Sequence, residues 1–297
     1  MQFIGEFAAL IAAILWSVTA ICFSEASNRV GPIYVNIVRM IFAIIFLIIT
    51  FLFLNIRFNM SLHQIINLAI SGFIGLVIGD TFLFKAFKSI GARLSMLIMA
   101  LVPAMSSLMA FLFLGERISY LGLIGMFITI AGIVLVILKR EEKPSGHYKI
   151  KYAGIFFAII GAAGQAVGLI YAKFAFNEGD INSFVATFIR LFSAVIIIYP
   201  IAMMTSRFVN PVNIFRNDKR ALVFTAIGSF VGPFLGITFS LISISHTQVG
   251  IAATIMATVP IIMLPMVRIY YKEKLTWISI FGAFIAVAGI SVLSLFR

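Results

Sequence analysis

Apolar residues run through this chain in blocks of about twenty, separated by short polar breaks. Ten such blocks lie near 4–24, 33–54, 65–84, 92–114, 118–138, 152–174, 182–204, 221–243, 248–271 and 275–296. A helix needs about 20 apolar residues to cross the hydrocarbon core of a bilayer. The blocks are apolar around their whole circumference, as expected of helices surrounded by lipid and by one another. A membrane β-strand would instead be a segment of about ten residues alternating apolar and polar, and that alternation is absent. The pattern predicts an all-α integral membrane protein with ten transmembrane helices.

Composition sharpens this. Of 297 residues, 62% are apolar and 11% charged, against roughly 25% charged in a soluble domain. Mean hydropathy is +1.15. There is too little polar surface to cover a water-soluble globule, which excludes a soluble enzyme, a nucleic-acid binder and a disordered chain. The net charge of +12 would suggest a nucleic-acid partner in a soluble protein. Here Lys and Arg gather in the connections between apolar blocks. Alternate connections hold sixteen of the 22, among them Arg29, Lys85, Lys139 to Lys151, Arg216 to Arg220 and Arg268 to Lys274. The other set holds four: Arg57, Arg117, Lys173 and Arg297. The positive-inside rule puts the sixteen in the cytoplasm. This predicts a multi-pass protein of the cell membrane with both termini outside. The first residues carry no basic region before the apolar run, so that run reads as the first span and not as a cleaved signal. The single cysteine, Cys22, allows no internal disulfide or cysteine metal cluster and reads as packing.

The chain also repeats itself. Shifted by 157, positions 72–138 match 229–295 without gaps at 19 of 67 positions. Gly75, Gly79, Thr81 and Phe82 return as Gly232, Gly236, Thr238 and Phe239. Pro103 returns as Pro260, Glu116 as Glu273, and Ala131-Gly132-Ile133 as Ala288-Gly289-Ile290. At smaller offsets Gly5 meets Gly154, Trp16 meets Gln165 and Arg39 meets Arg190. This divides the chain into a five-helix repeat at 1–138, a basic linker at 139–151 and a second five-helix repeat at 152–297. A unit with an odd number of spans enters the membrane in opposite senses in its two copies, so the repeats are expected to be inverted. Inverted repeats recur in secondary transporters, with the substrate site near the midplane at the repeat interface.

The repeat-end segments carry a family resemblance. One is Pro103, then Leu112-Phe113-Leu114-Gly115-Glu116-Arg117-Ile118-Ser119 and the glycine-rich span from Gly122 to Gly132. The other is Pro260, then Tyr271-Lys272-Glu273-Lys274-Leu275-Thr276 and Gly282 to Gly289. In these segments and in its 5+5 build the chain resembles the EamA-type drug/metabolite transporters. The resemblance implies export or exchange of small metabolites such as amino acids, or of drugs. It also implies a central cavity lined by the first, third, fourth and sixth to ninth spans. Related four-span multidrug carriers have a glutamate in mid-span one. Here that stretch reads Ala13-Ile14-Leu15-Trp16-Ser17-Val18-Thr19, without an acid, which argues against proton/drug antiport of that kind.

Ionisable residues inside a membrane are costly and therefore candidates for function. Arg39 and Arg190 each lie roughly 10 Å into their spans at 1.5 Å per residue. A guanidinium offers a planar fork to a carboxylate or phosphate, so the pair is read as gates or anion anchors; the alternative is snorkelling to headgroups. Asp80 is the only acid well inside a span, and its repeat mate is Ile237. It is a candidate for proton coupling, or for a salt bridge to Lys85 or to an intramembrane Arg. Pro103 and Pro260 fall mid-block and read as kinks or hinges. Trp16, Ser17, Gln165, Tyr171, Thr238 and Ser240 are the expected cavity lining. Glycines 72, 75 and 79, and 228, 232 and 236, have the spacing of close helix approach. Glu6, Glu116 and Glu273 read as helix-end charges.

Enzyme readings fail on motif. Asp80 has no second intramembrane Asp, Ser71 lacks the glycine two residues before it, and no phosphate-binding loop is present. His63, His147 and His246 have no partner at metal-ligand spacing. The sequence therefore predicts no enzyme, no metal and no cofactor. It predicts a secondary transporter working by alternating access, partnered by a small molecule, the bilayer and a proton or other coupling ion. One chain supplies both halves of the cavity, so a monomer suffices. Efflux of lipophilic drugs is the rival within transport; a non-transporting scaffold or sensor is the rival outside it.

Overall fold

The computed structural model describes residues 3–54, 56, 58–114, 119–138, 152–204, 209–247, 252, 255–272 and 275–295. The linker 139–151 and the turn residues Glu116 and Glu273 lie outside them. Helix accounts for nearly all the described residues, and no strand occurs among them.

Helix α1, Ile4–Val30, starts with Glu6 in its first turn and ends with Arg29 in its last, each sign matching the helix dipole. Gly31 follows at φ +97 and α2, Pro32–Leu54, begins at once, a proline taking the first helical position. Helix α3, Leu62–Gly72, opens on a capping box: Ser61 Oγ accepts from the Gln64 N–H at 3.0 Å, and Gln64 Oε1 accepts from the Ser61 N–H at 2.9 Å. A π-helical stretch, Phe73–Gly79, leads into α4, Asp80–Met99. Then come α5, Val102–Leu114, and α6, Tyr120–Leu138.

The second half begins with α7, Tyr152–Asn177, and α8, Ser183–Met203. A short α9, Pro211–Asn217, precedes α10, Lys219–Ser229, capped by Asp218. A second π-helical stretch, Phe230–Gly236, leads into α11, Ile237–His246. Helices α12, Val259–Tyr270, and α13, Trp277–Leu295, complete the chain.

The duplication is visible residue by residue in these boundaries. Shifting the first half by 157 carries the Ser61 cap onto the Asp218 cap. It also carries 62–72 onto 219–229, the π stretch 73–79 onto 230–236, and the starts at Val102 and Tyr120 onto Val259 and Trp277. In each copy the π stretch closes with an N–H bonding five residues back, Asp80 to Gly75 O and Ile237 to Gly232 O. π turns are rare and concentrate at functional sites.

Three expected boundaries move. The third and fourth blocks form one helical stretch, Leu62–Met99, of 38 residues. Straight, it would run about 57 Å, nearly twice the hydrocarbon core. It divides at Gly91, whose φ 79 and ψ 165 are essentially restricted to glycine. The fourth block is itself broken at Ala100–Leu101, and the ninth at the matching Ala257–Thr258. Pro103 and Pro260 therefore do not kink a continuous helix. Each lies in the first turn of a new one, where its missing N–H is one of the orphan donors anyway. Seven stretches are long and apolar enough to cross a membrane, with three shorter apolar helices beside them; this set accommodates ten crossings.

Helices α6 and α13 pair with each other at one side of the bundle. Gly132 and Gly289, repeat mates, let the backbones meet, and Thr129 Oγ1 donates to Ala286 O at 3.3 Å across the contact. The outer surface is strongly apolar, with Phe53, Phe127, Phe156 and Trp277 all exposed, as a lipid-facing surface requires. The seam between halves is built of small residues. A Cβ on Gly164 of α7 would lie 2.8 Å from Gly79 Cα, and one on Gly168 would lie 3.0 Å from Gly75 Cα. We expect Gly164→Ala to destabilise the protein by about 1–3 kcal/mol, the usual cost of overpacking a tight core. Thermal unfolding in detergent checks this.

Candidate functional site

At the centre of the bundle the helices enclose a cavity of about 150 Å³, the volume that holds one benzene in an engineered protein core. Its walls come from the first, third, fourth and sixth to ninth spans, as the resemblance implied, and additionally from the second through Arg39. Neither α6 nor α13 contributes.

The polar centre of this cavity forms around Asp80. Asp80 is the first residue after the π stretch and is 5% exposed. Its Oδ2 accepts from Arg39 Nη2 of α2 in a buried ion pair. Its Oδ1 accepts from Gln165 Nε2 of α7 at 2.6 Å. Arg39 is steered by Asn36, one turn earlier on α2, whose Oδ1 accepts from Arg39 Nε at 2.8 Å. The Asn36 amide then donates to Leu76 O at 2.9 Å and Thr81 Oγ1 at 2.8 Å. Gln165 also donates to Gly75 O at 3.2 Å. Two side chains thus bond carbonyls of the widened π turn, which lipid could not satisfy. Below the ion pair the floor is aromatic. The Arg39 guanidinium carbon lies 4.9 Å from the Phe84 ring centroid and 5.5 Å from that of Phe23. Phe84 stacks on Phe87 at 5.6 Å.

Arg190 occupies the repeat-equivalent place on α8 but has no such company. It is 3% exposed and lies on the cavity wall. Its Nε has no hydrogen-bond partner, and no acid lies within salt-bridge distance among the described residues. Where Arg39 has Asp80, Arg190 has Ile237; where Asn36 stands, α8 carries Thr187, joined to Thr238 by a 3.4 Å contact between hydroxyl oxygens. The Arg190 guanidinium reaches toward the notch at Gly75, where a Cβ would lie 3.4 Å from Nη2. Since the Arg39–Asp80 pair is neutral as a whole, the cavity carries one positive charge without a counter-charge.

The structure places the expected lining residues unevenly. Trp16, Gln165 and Ser240 lie on the wall. The Trp16 indole rests on Gly236, whose Cβ would lie 2.8 Å from Nε1. Ser17, Tyr171 and Thr238 are off it. Ser17 is buried and donates to Ala13 O at 2.8 Å. Tyr171 packs on Phe174 at 5.9 Å, and Thr238 donates to Phe234 O. A serine or threonine within a span is readily satisfied by its own helix, so its presence does not place it on the cavity. Arg39, Arg190, Asp80, Pro103 and Pro260 all line the cavity. Lys85 does not pair with Asp80. It is exposed, with its ammonium 4.8 Å from the Phe82 centroid and 5.8 Å from that of Phe157. Glu6 accepts from Thr247 Oγ1 at 3.3 Å, tying the start of α1 to the end of α11. Sequence reasoning missed Asn36 and the Phe23–Phe84 floor. A polar amide one turn from Arg39 in an otherwise apolar span was the available signal for Asn36.

Removing one member of a buried ion pair strands the other. We expect Arg39→Gln and Asp80→Asn each to cost about 3–5 kcal/mol. The double variant is expected to recover much of that loss. Thermal unfolding of the three variants against the parent checks it; additive losses would mean the pair contributes nothing as a pair.

Comparison with known proteins agrees with this architecture. The EamA-like transporter family matches residues 3–138 and 152–295. One solved crystal structure of a protein is similar over 99% of this chain and 98% of its own, at a TM-score of 0.70 and 18% identity, a likeness of fold. No curated protein matches the sequence.

Proposed function

Because the chain belongs to the EamA-like transporter family, we propose that it is a secondary transporter of small carboxylate-bearing metabolites, the class that includes amino acids. In this reading cargo crosses by alternating access through the central cavity, the two repeats exchanging conformations. The observation that carries the cargo class is Arg190: a buried guanidinium on the wall whose Nε is unbonded and which forms no ion pair with an acid among the described residues. An unpaired buried charge is expensive, and in a scaffold it would serve nothing. In a carrier it is the complement of an anionic group, which a guanidinium binds through paired N–H donors. Two further observations support the reading over efflux of cationic drugs. The first span has no acid in its middle. The one acid on the wall has both oxygens engaged, by Arg39 and by Gln165. The same engagement favours Asp80 as a fixed counter-ion over a proton-coupling group. The charge count of the connections supports an orientation with the aromatic floor toward the cytoplasm.

In proteoliposomes we expect saturable counterflow of labelled carboxylates. Arg190→Gln should lower it at least tenfold, while Arg190→Lys, which keeps the charge and loses the fork, should keep a measurable part. Flux that never saturates, or that survives Arg190→Gln unchanged, would remove Arg190 from the cargo site.

A further inference from the structure

The charges of the cavity select within the carboxylate class. Among the described residues the wall carries Arg39, Arg190 and Asp80 as its charged groups. Asp80 has its charge compensated by Arg39 on one oxygen and accepts from Gln165 on the other. Arg190 alone remains open, its Nε unbonded in a residue 3% exposed. A carboxylate entering here finds a partner. An ammonium finds no unpaired charge of opposite sign.

The other acceptors on the wall, such as the unbonded Thr19 hydroxyl oxygen and the Ser240 oxygen, are neutral and do not offset the charge of Arg190. Gly75 O accepts from Gln165 and from the Asp80 N–H, and Leu76 O accepts from Asn36. The Ser240 hydroxyl donates to Ile237 O at 2.7 Å. The aromatic faces of Phe23 and Phe84 lie under the Arg39 guanidinium. Any ammonium in a space of about 150 Å³ would sit close to Arg190 and be repelled by it, and burying it unpaired would cost its hydration. We infer that the site prefers a small monoanion with one carboxylate and an apolar body, such as a 2-oxo or 2-hydroxy acid, over the zwitterion of the same skeleton. This rests on the carboxylate cargo proposed above and narrows it.

The test uses three molecules of matched skeleton: leucine, its 2-oxo acid, and the amine left when its carboxylate is removed. Counterflow of each is measured in proteoliposomes of the full chain, alongside the shift in melting temperature on binding. The 2-oxo acid should exchange at least tenfold faster than leucine at equal concentration. That exchange should be lost in Arg190→Gln and partly kept in Arg190→Lys, which guards against a variant that simply fails to fold. The amine should do nothing. If leucine matches or exceeds the 2-oxo acid, the preference for a monoanion is overturned and the carboxylate reading stands. If the amine is carried and neither acid is, the carboxylate reading falls with it. Silence from all three in the wild-type protein, in both measurements, overturns both.

Discussion

The structure depends on where a single carboxylate finds its partners inside hydrocarbon. Asp80 cannot be left alone there. Its partners come from α2 of its own repeat and from α7 of the other. Through Gln165, the carboxylate of the ion pair also bonds the two halves to each other. Asn36 orients Arg39, and together with Gln165 it bonds the carbonyls of the π turn that presents Asp80. Each group satisfies another, and the network closes with Arg190 outside it. The open charge on Arg190 is meaningful because the equivalent arginine is so fully compensated.

Such a network needs the helices unusually close. Gln165 reaches Asp80 because Gly161, Gly164 and Gly168 of α7 lie against Gly75 and Gly79 with no side chains between. The π turn widens the backbone at the same level, and carbonyls within it are the acceptors that Gln165 and Asn36 use. Removal of side chains and widening of the turn act together: one brings the second half in, the other gives it something to bond. The seam between α6 and α13 uses glycine in the same way, but there no charged group follows, and the contact is packing alone.

Much of this was legible in the sequence, for physical reasons. Block length and hydropathy report on the bilayer, so the helical membrane architecture followed directly. The 157-residue offset reproduced itself in caps, π turns and helix starts because the same local signals occur twice: a cap at Ser61 or Asp218, glycines at 75 and 79 or 232 and 236. What failed was whatever depends on side-chain direction. Ser17 and Trp16 are neighbours, yet only Trp16 faces the cavity. Lys85 is five residues from Asp80 and Arg39 is forty-one away, and only the fold brings Arg39 to the carboxylate. Each proline sits at a helix start, two residues after a turn, a detail that a continuous apolar block hides. The π turns left no readable mark, since their composition suits an α-helix equally well.

The substitution that separates Asp80 from Ile237 has a consequence for energetics. A carrier whose halves were true copies would have two end states of equal energy, each the mirror of the other across the membrane. Here the backbone is duplicated and the counter-ion is not. Exchanging the conformations of the halves exchanges helix positions while leaving the negative charge in the first half. In the proposed alternating-access cycle the two end states would therefore be unequal when empty, with Asp80 among the residues that set the bias. A bound anion beside Arg190 makes the two halves electrically more alike. In that proposed cycle loading would level the bias, and the occupied carrier would turn over more readily than the vacant one.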